Sequence, residues 1–210
     1  MPNKELAVLG RGDEAGSRVG NAILDFIVAL PESKLGKSES PEEAARSKAN
    51  KAAAAAALAA GALALPPGPA GWLTILPEMI GVWKIQAQLV ADIAALYGHR
   101  ATLSEEQMIY CLFKHTAAQA VRDLVVRTGE RALVQRVTVR ALQGIAKRIG
   151  VKVTQRAIGR GLARWLPIVG AVGVGAYAYY DTAQVASTAI SLFKGEVHLE
   201  PAPMNGRDDG

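Results

Sequence analysis

The chain has 210 residues, 50% of them hydrophobic and 20% charged, with a formal net charge of +5. That length and apolar content suit one packed core or two small ones and exclude a chain that is disordered throughout. A single cysteine, Cys111, excludes an internal disulfide framework.

The first 15 residues read as a flexible arm. Their opening, MPNKELAVLGRGDE, is charged where a secretory signal is apolar, which points to a cytoplasmic start. Residues 17–30 place Val19, Ile23, Phe26, Ile27 and Leu30 on one helical face, and Pro31 ends that helix. A linker follows. Ser40, Pro41 and Glu43 then supply a cap, a first helical residue and a first-turn acid for the next helix. This helix enters an alanine-rich run, and from Ala52 to Pro77 there are 26 uncharged residues. The prolines at Pro66–Gly71 interrupt that run, so a helix, a turn and a second helix fit better than one straight span.

The second helix is expected from Leu76 to Tyr97, with Gly98 as its stop and Lys84, Gln88 and Asp92 as a polar line. Ser104 and Gln107 match a capping box, opening a helix expected to run to Gly129. A further helix over Glu130–Arg148 and a basic one over 151–165, separated by Gly150, come next. Pro167 is expected to break or kink the chain before a last apolar helix over Gly170–Phe193, and a loose tail begins at Gly195. No strand pattern alternates over a useful length. The expected fold is therefore all-α: a compact domain of about six to eight helices with a glycine-rich C-terminal helix. Residues 1–50 form an arm with a short helix and linker, 51–195 the helical domain, and 196–210 a flexible tail.

Charge is unevenly spread. Between Arg122 and Arg164, eleven Lys or Arg stand against two acids, Asp123 and Glu130. Lys152, Arg156, Arg160 and Arg164 recur every four residues and abut Trp165, so they form one face of an amphipathic helix. From Trp165 to Phe193 only Asp181 is charged. A basic stripe beside an apolar run suits contact with an anionic membrane, or the surface and core of a soluble helical domain. In the first case Trp165–Tyr180 dips into the membrane with Asp181 at its edge. Gly170, Gly173 and Gly175 lie in this run, and each costs a helix roughly 1 kcal/mol against alanine. Close helix packing is the reason such a cluster suggests.

The search for chemistry returns little. His99, His115 and His198 are far apart, and Cys111 with His115 gives two metal ligands without a third, so no metal site and no cofactor is expected. No nucleophile elbow is present, and GAVGVG lacks the order of a nucleotide-binding loop. Glu105 and Glu106 read as first-turn charges. The pattern argues against an enzyme. Nucleic acid is disfavoured too, because the basic stripe lacks interleaved base-reading side chains.

LPPGPAGWLTILPEMIGVWKIQAQLVADIAALYG in the middle of the chain resembles the EcsC family of bacterial proteins. So does the later KRIGVKVTQRAIGRGLARWLPIVGAVGVGAYAYYDTAQVASTA, where a basic helix enters a turn at Pro167–Ala171. The resemblance spans roughly Leu63 to Phe193 and implies a bacterial helical protein peripheral to the inner membrane, with no defined catalytic constellation. Together these readings lead to a non-enzymatic, membrane-associated protein that meets anionic phospholipid or a membrane protein such as a transporter through Lys152, Arg156, Arg160, Arg164 and Trp165. A conditionally inserting toxic or stress-related protein and a soluble transporter adaptor are the alternatives.

Overall fold

The computed structural model describes residues 19–24, 29–63, 71–121, 125–128, 131–134, 137–161 and 167–199, with side chains at 19–24, 29–62, 79–121, 137–152 and 172–195. The chain is all-α in class. Its helices are α1 (residues 19–24), α2 (Pro41–Leu63), α3 (Gly71–Leu96), α4 (Glu105–Phe113), α5 (Ala118–Val121), α6 (Val139–Gly161) and α7 (Pro167–Ser191). Among the described residues three short strands add a small sheet: β1 (Val125–Thr128), β2 (Arg131–Val134) and β3 (Val197–Leu199).

α2, α3 and α7 form the main layer. α2 runs antiparallel to α7: Glu42 near its start pairs with Lys194 at 3.1 Å, while Ala57 near its end meets Gly175. The carboxyl of Glu42 is held below its ordinary value by Arg46 and then by Lys194. α2 is also antiparallel to α3, since Lys48 reaches Asp92 and Ala56 and Ala60 pack with Val82 and Ile85. Small side chains on α2 permit this close approach. A larger core joins α3, α4 and α6, with Ile93, Met108, Ile109, Leu112, Phe113, Ile145 and Ile149 all under 2% exposed. Trp83 meets Phe113 edge to face at 5.4 Å.

Local chemistry sets the boundaries. Pro41 opens α2, where its missing N–H costs nothing. α3 closes in a Schellman turn: His99 N–H donates to Ala94 O, Gly98 N–H to Ala95 O, and Gly98 has φ 85°. The Ser104–Gln107 capping box starts α4 with both reciprocal bonds. Thr138 caps α6 by accepting from Ala141 N–H.

Several expectations are corrected. α3 begins at Gly71, not Leu76, so Pro77 lies inside it. The helix opened at Ser104 ends at Phe113 rather than Gly129, and the region beyond α5 pairs as an antiparallel hairpin, with Val125 opposite Val134 and Thr128 opposite Arg131. β-branched Val125, Val126 and Thr128 favour that pairing. Gly150 does not separate two helices; it is buried within continuous α6. One glycine costs about 1 kcal/mol, too little to break a helix that buries Leu142, Ile145, Ala146 and Ile149. The last helix begins at Pro167, three residues before the expected Gly170, with the proline in its first turn.

The domain limits also move. Residue 50 falls in the middle of α2. Val19 and Ile23 of α1 are buried in the core, and a Cβ on Gly20 would come to 3.0 Å from Lys147 Cα of α6. At the other end, Val197–Leu199 is not loose: it pairs in parallel with β2, Leu133 opposite His198.

Candidate functional site

An ionised carboxylate buried without a partner is costly, so an isolated acid in an apolar helix must find donors elsewhere in the fold. Asp181 of α7 finds two. His115 Nε2, from the turn that follows α4, lies 2.7 Å from Oδ1. Gln86 Nε2 of α3 donates to Oδ2 at 2.7 Å and to Thr182 Oγ1 at 3.2 Å. The His115 and Asp181 side chains are 16% and 13% exposed, and Gln86 is fully buried. Three elements distant in sequence thus meet on one carboxylate. The Nε2–H to Asp181 bond orients the imidazole and, in its neutral form, leaves the lone pair on Nδ1. That Nδ1 and Gln86 Oε1 are buried and find no partner among the described residues.

Beside this cluster is a cavity of about 350 Å³ lined by His115, Thr116, Gln119, Arg148 and Lys152, with alanines completing its wall. Arg148 and Lys152 are one turn apart on α6, and none of the described lining residues is acidic.

A second polar cluster has a structural role. Asp92 accepts from Ser33 Oγ at 2.7 Å, Gln88 Nε2 at 3.1 Å and Lys48 Nζ at 3.3 Å, and Gln88 also donates to Glu32 O. With Ser38 N–H donating to Leu96 O, these bonds clamp the segment before α2 onto α3. The polar line Lys84, Gln88, Asp92 is thus partly a docking edge for the chain's own backbone. Glu106 likewise accepts from Val137 N–H at 3.2 Å, which makes it more than a first-turn charge.

The residues singled out in the sequence are placed unevenly. Lys152 is exposed on α6 and borders the cavity. Arg156 and Arg160 lie on the α6 backbone path, and Arg164 and Trp165 lie outside the described residues. Gly175 is a crossing point: a Cβ there would approach Ala57 O to 3.0 Å, so α2 and α7 meet backbone to backbone. Gly173 is exposed, and a Cβ on it would meet nothing within 4 Å, so no contact within the chain requires glycine there. Gly170 is on the α7 backbone path. Cys111 is fully buried in α4, and burial pushes its thiol far up, which keeps it protonated and unreactive. His115 turns to Asp181 rather than to Cys111. Among the described residues no group of three His, Cys, Asp or Glu could hold a metal ion.

Sequence reasoning weighed His115 with Cys111 and did not connect Gln86, His115 and Thr182 with Asp181. The available signal was reciprocal: Asp181 is the one charge between Trp165 and Phe193, and His115 follows a nine-residue helix that is buried nearly throughout. Two isolated polar groups in apolar surroundings are each other's natural partners. Comparison with protein-family models, curated proteins and solved structures finds no match to this chain.

Proposed function

We propose that this is a non-enzymatic, membrane-associated helical protein that meets anionic phospholipid with one end of its bundle. The observation that carries the reading is an apolar pole. α2 has no charge after Lys51 and α7 none before Asp181, and because the two run antiparallel these stretches lie at the same end. Large apolar side chains are left in water there: Leu58 at 75% exposure, Val172 at 68%, Tyr180 at 60% and Tyr179 at 44%. Tyrosines suit the headgroup layer, and a cluster of exposed apolar side chains marks an interaction surface.

Charge complementarity selects the occupant. Basic α6 ends at Gly161, and five residues separate it from the start of α7 at Pro167. That connection spans at most about 20 Å, so the C-terminal half of the basic stripe lies within reach of the pole. Cations near an anionic surface contribute about 1 kcal/mol each. The resemblance to the EcsC family belongs to the same proposal. Of the described helices, the stretch Met79–Leu96 is long and apolar enough to cross a membrane, yet 61% of it is buried inside the protein. Membrane contact is therefore assigned to the exposed pole and not to that helix.

Flotation with vesicles tests the reading. Wild-type protein should float with phosphatidylglycerol-containing vesicles and much less with phosphatidylcholine alone. Leu58→Ser with Val172→Ser, and separately Arg156→Glu with Arg160→Glu, should each weaken flotation. Protein that stays in the soluble fraction with every lipid would overturn the proposal. Dye leakage accompanying flotation would favour the conditionally inserting alternative.

A further inference from the structure

We infer that a cavity beside the C-terminal part of α3 binds a small zwitterion, a free amino acid with an apolar side chain. The cavity measures about 430 Å³, within the range of small-molecule sites. Among the described residues, its wall combines apolar Leu30, Pro31 and Leu103 with Glu32 and Arg100. The two charges line one space, yet neither side chain forms an ion pair or hydrogen bond with another described residue. Both residues are exposed, so both charged ends are open to a ligand. Unlike charges in a cleft with apolar walls match a molecule that carries both signs, and each repels one half of a simple anion or cation pair. Glu32 accepts from an ammonium, and the Arg100 guanidinium donates to a carboxylate. Leu30 and Leu103 pack partly on the core, and the rest of their surface meets an apolar side chain.

Both charged residues stand on backbone that the fold already holds. Around Glu32, its own carbonyl accepts from Gln88 Nε2 at 3.3 Å, and the next residue, Ser33, donates from Oγ to Asp92 at 2.7 Å. Around Arg100, Thr102 N–H donates to His99 O at 3.1 Å and closes a turn, and His99 N–H donates to Ala94 O at the end of α3. The His99 ring lies against Phe193 with centroids 5.6 Å apart, which ties the turn to the C-terminal end of α7. Two anchored turns thus face one cavity, and little ordering is left for a ligand to impose. The site is also remote from the apolar pole. α2 and α3 run antiparallel, so the end of α2 and the end of α3 lie at opposite ends of the bundle. The inference therefore does not rest on the membrane reading, and no bond is made or broken in it.

Calorimetric titration of the purified protein in lipid-free buffer tests the site, with L-leucine and L-phenylalanine as probes. N-acetyl-leucine lacks the ammonium and leucinamide lacks the carboxylate. Wild type should bind at least one of the two amino acids saturably, and each leucine analogue about tenfold more weakly than leucine. Deleting the matching protein charge should erase each preference. Glu32→Gln should bind leucine and N-acetyl-leucine within about twofold of each other, and Arg100→Gln should do the same for leucine and leucinamide. Both positions are exposed, so the variants should melt with wild type. Ala101→Trp, which fills the cavity, should abolish binding. The inference is overturned if neither amino acid binds saturably up to about 10 mM. It is overturned equally if wild type binds the analogues as tightly as leucine, or if Glu32→Gln and Arg100→Gln keep the wild-type preferences.

Discussion

Replacing Asp181 by alanine and by asparagine separates two roles of one side chain. Asp181 accepts from His115 and from Gln86, each at 2.7 Å, and is 13% exposed. Alanine removes both acceptors. An acceptor removed from a buried neutral donor costs about 1–3 kcal/mol for each donor left unpaired. Gln86 Nε2 retains Thr182 Oγ1 at 3.2 Å, so the loss falls on the neutral His115 N–H, about 2 kcal/mol. In a chain of this size each kcal/mol moves the melting temperature by about 2–4 °C, so Asp181→Ala should melt about 4–8 °C below wild type.

Asparagine has a way to keep both bonds. Its oxygen accepts from Gln86 and its amide donates to His115 Nε2, provided that the ring proton moves to Nδ1. The opposite orientation would set two donors, the asparagine amide and Gln86 Nε2, against each other. Asp181→Asn should therefore lose only about 1 kcal/mol while inverting the neutral tautomer of His115. Ring ¹⁵N spectra distinguish the tautomers: Nε2–H in wild type, Nδ1–H in the variant. An alanine variant that melts with wild type, or an asparagine variant that keeps Nε2–H, would refute the pairing.

Two glycines of α7 should respond with opposite signs. Gly175→Ala drives a Cβ to 3.0 Å from the backbone oxygen of Ala57, costing about 1–3 kcal/mol. Gly173→Ala fills open space and gains about 0.5–1 kcal/mol of helix stability; urea denaturation of both variants checks the pair. Gly98→Ala must hold an L residue at φ 85°, and a loss of about 1–2 kcal/mol is expected in the same assay. Cys111, its thiol pushed up by burial, should resist maleimide in the folded protein and react promptly in denaturant. Prompt labelling of the native state would place the thiol outside the core.

What was legible in the sequence was what local rules control. The capping box at Ser104 and the stop at Gly98 announce themselves through residue types within four or five positions of one another. The hairpin at 125–134 was hidden because Val125–Thr128 is too short for a convincing alternation and lies between helical stretches. Gly150 misled for a different reason: its propensity cost is real, but tertiary burial of Ile145 and Ile149 outweighs it. The site was hardest to see. Gln86, His115 and Asp181 are separated by 29 and 66 positions, and only the packing of α7 between α3 and the His115 turn brings them together. Each alone reads as an unremarkable polar residue on an apolar helix.

On the proposed membrane reading, the same carboxylate decides between adsorption and insertion. Drawing α7 across a bilayer would carry Asp181 into hydrocarbon, at about 2.5–3.5 kcal/mol on insertion scales. It would also deprive His115 and Gln86 of their acceptor, a further loss of about 2 kcal/mol. Little offsets this on the inner face of α7. Ala178, Val185, Ala186 and Ala189 are already out of water, and moving them from protein to lipid exchanges one apolar surrounding for another. The side chains that gain are those now in water, Leu58, Val172, Tyr179 and Tyr180, each able to reach an interface while the bundle stays closed. The lone charge in the apolar run thus acts as a latch: it holds α7 against α3 and leaves the pole as the part of the helix free to meet lipid.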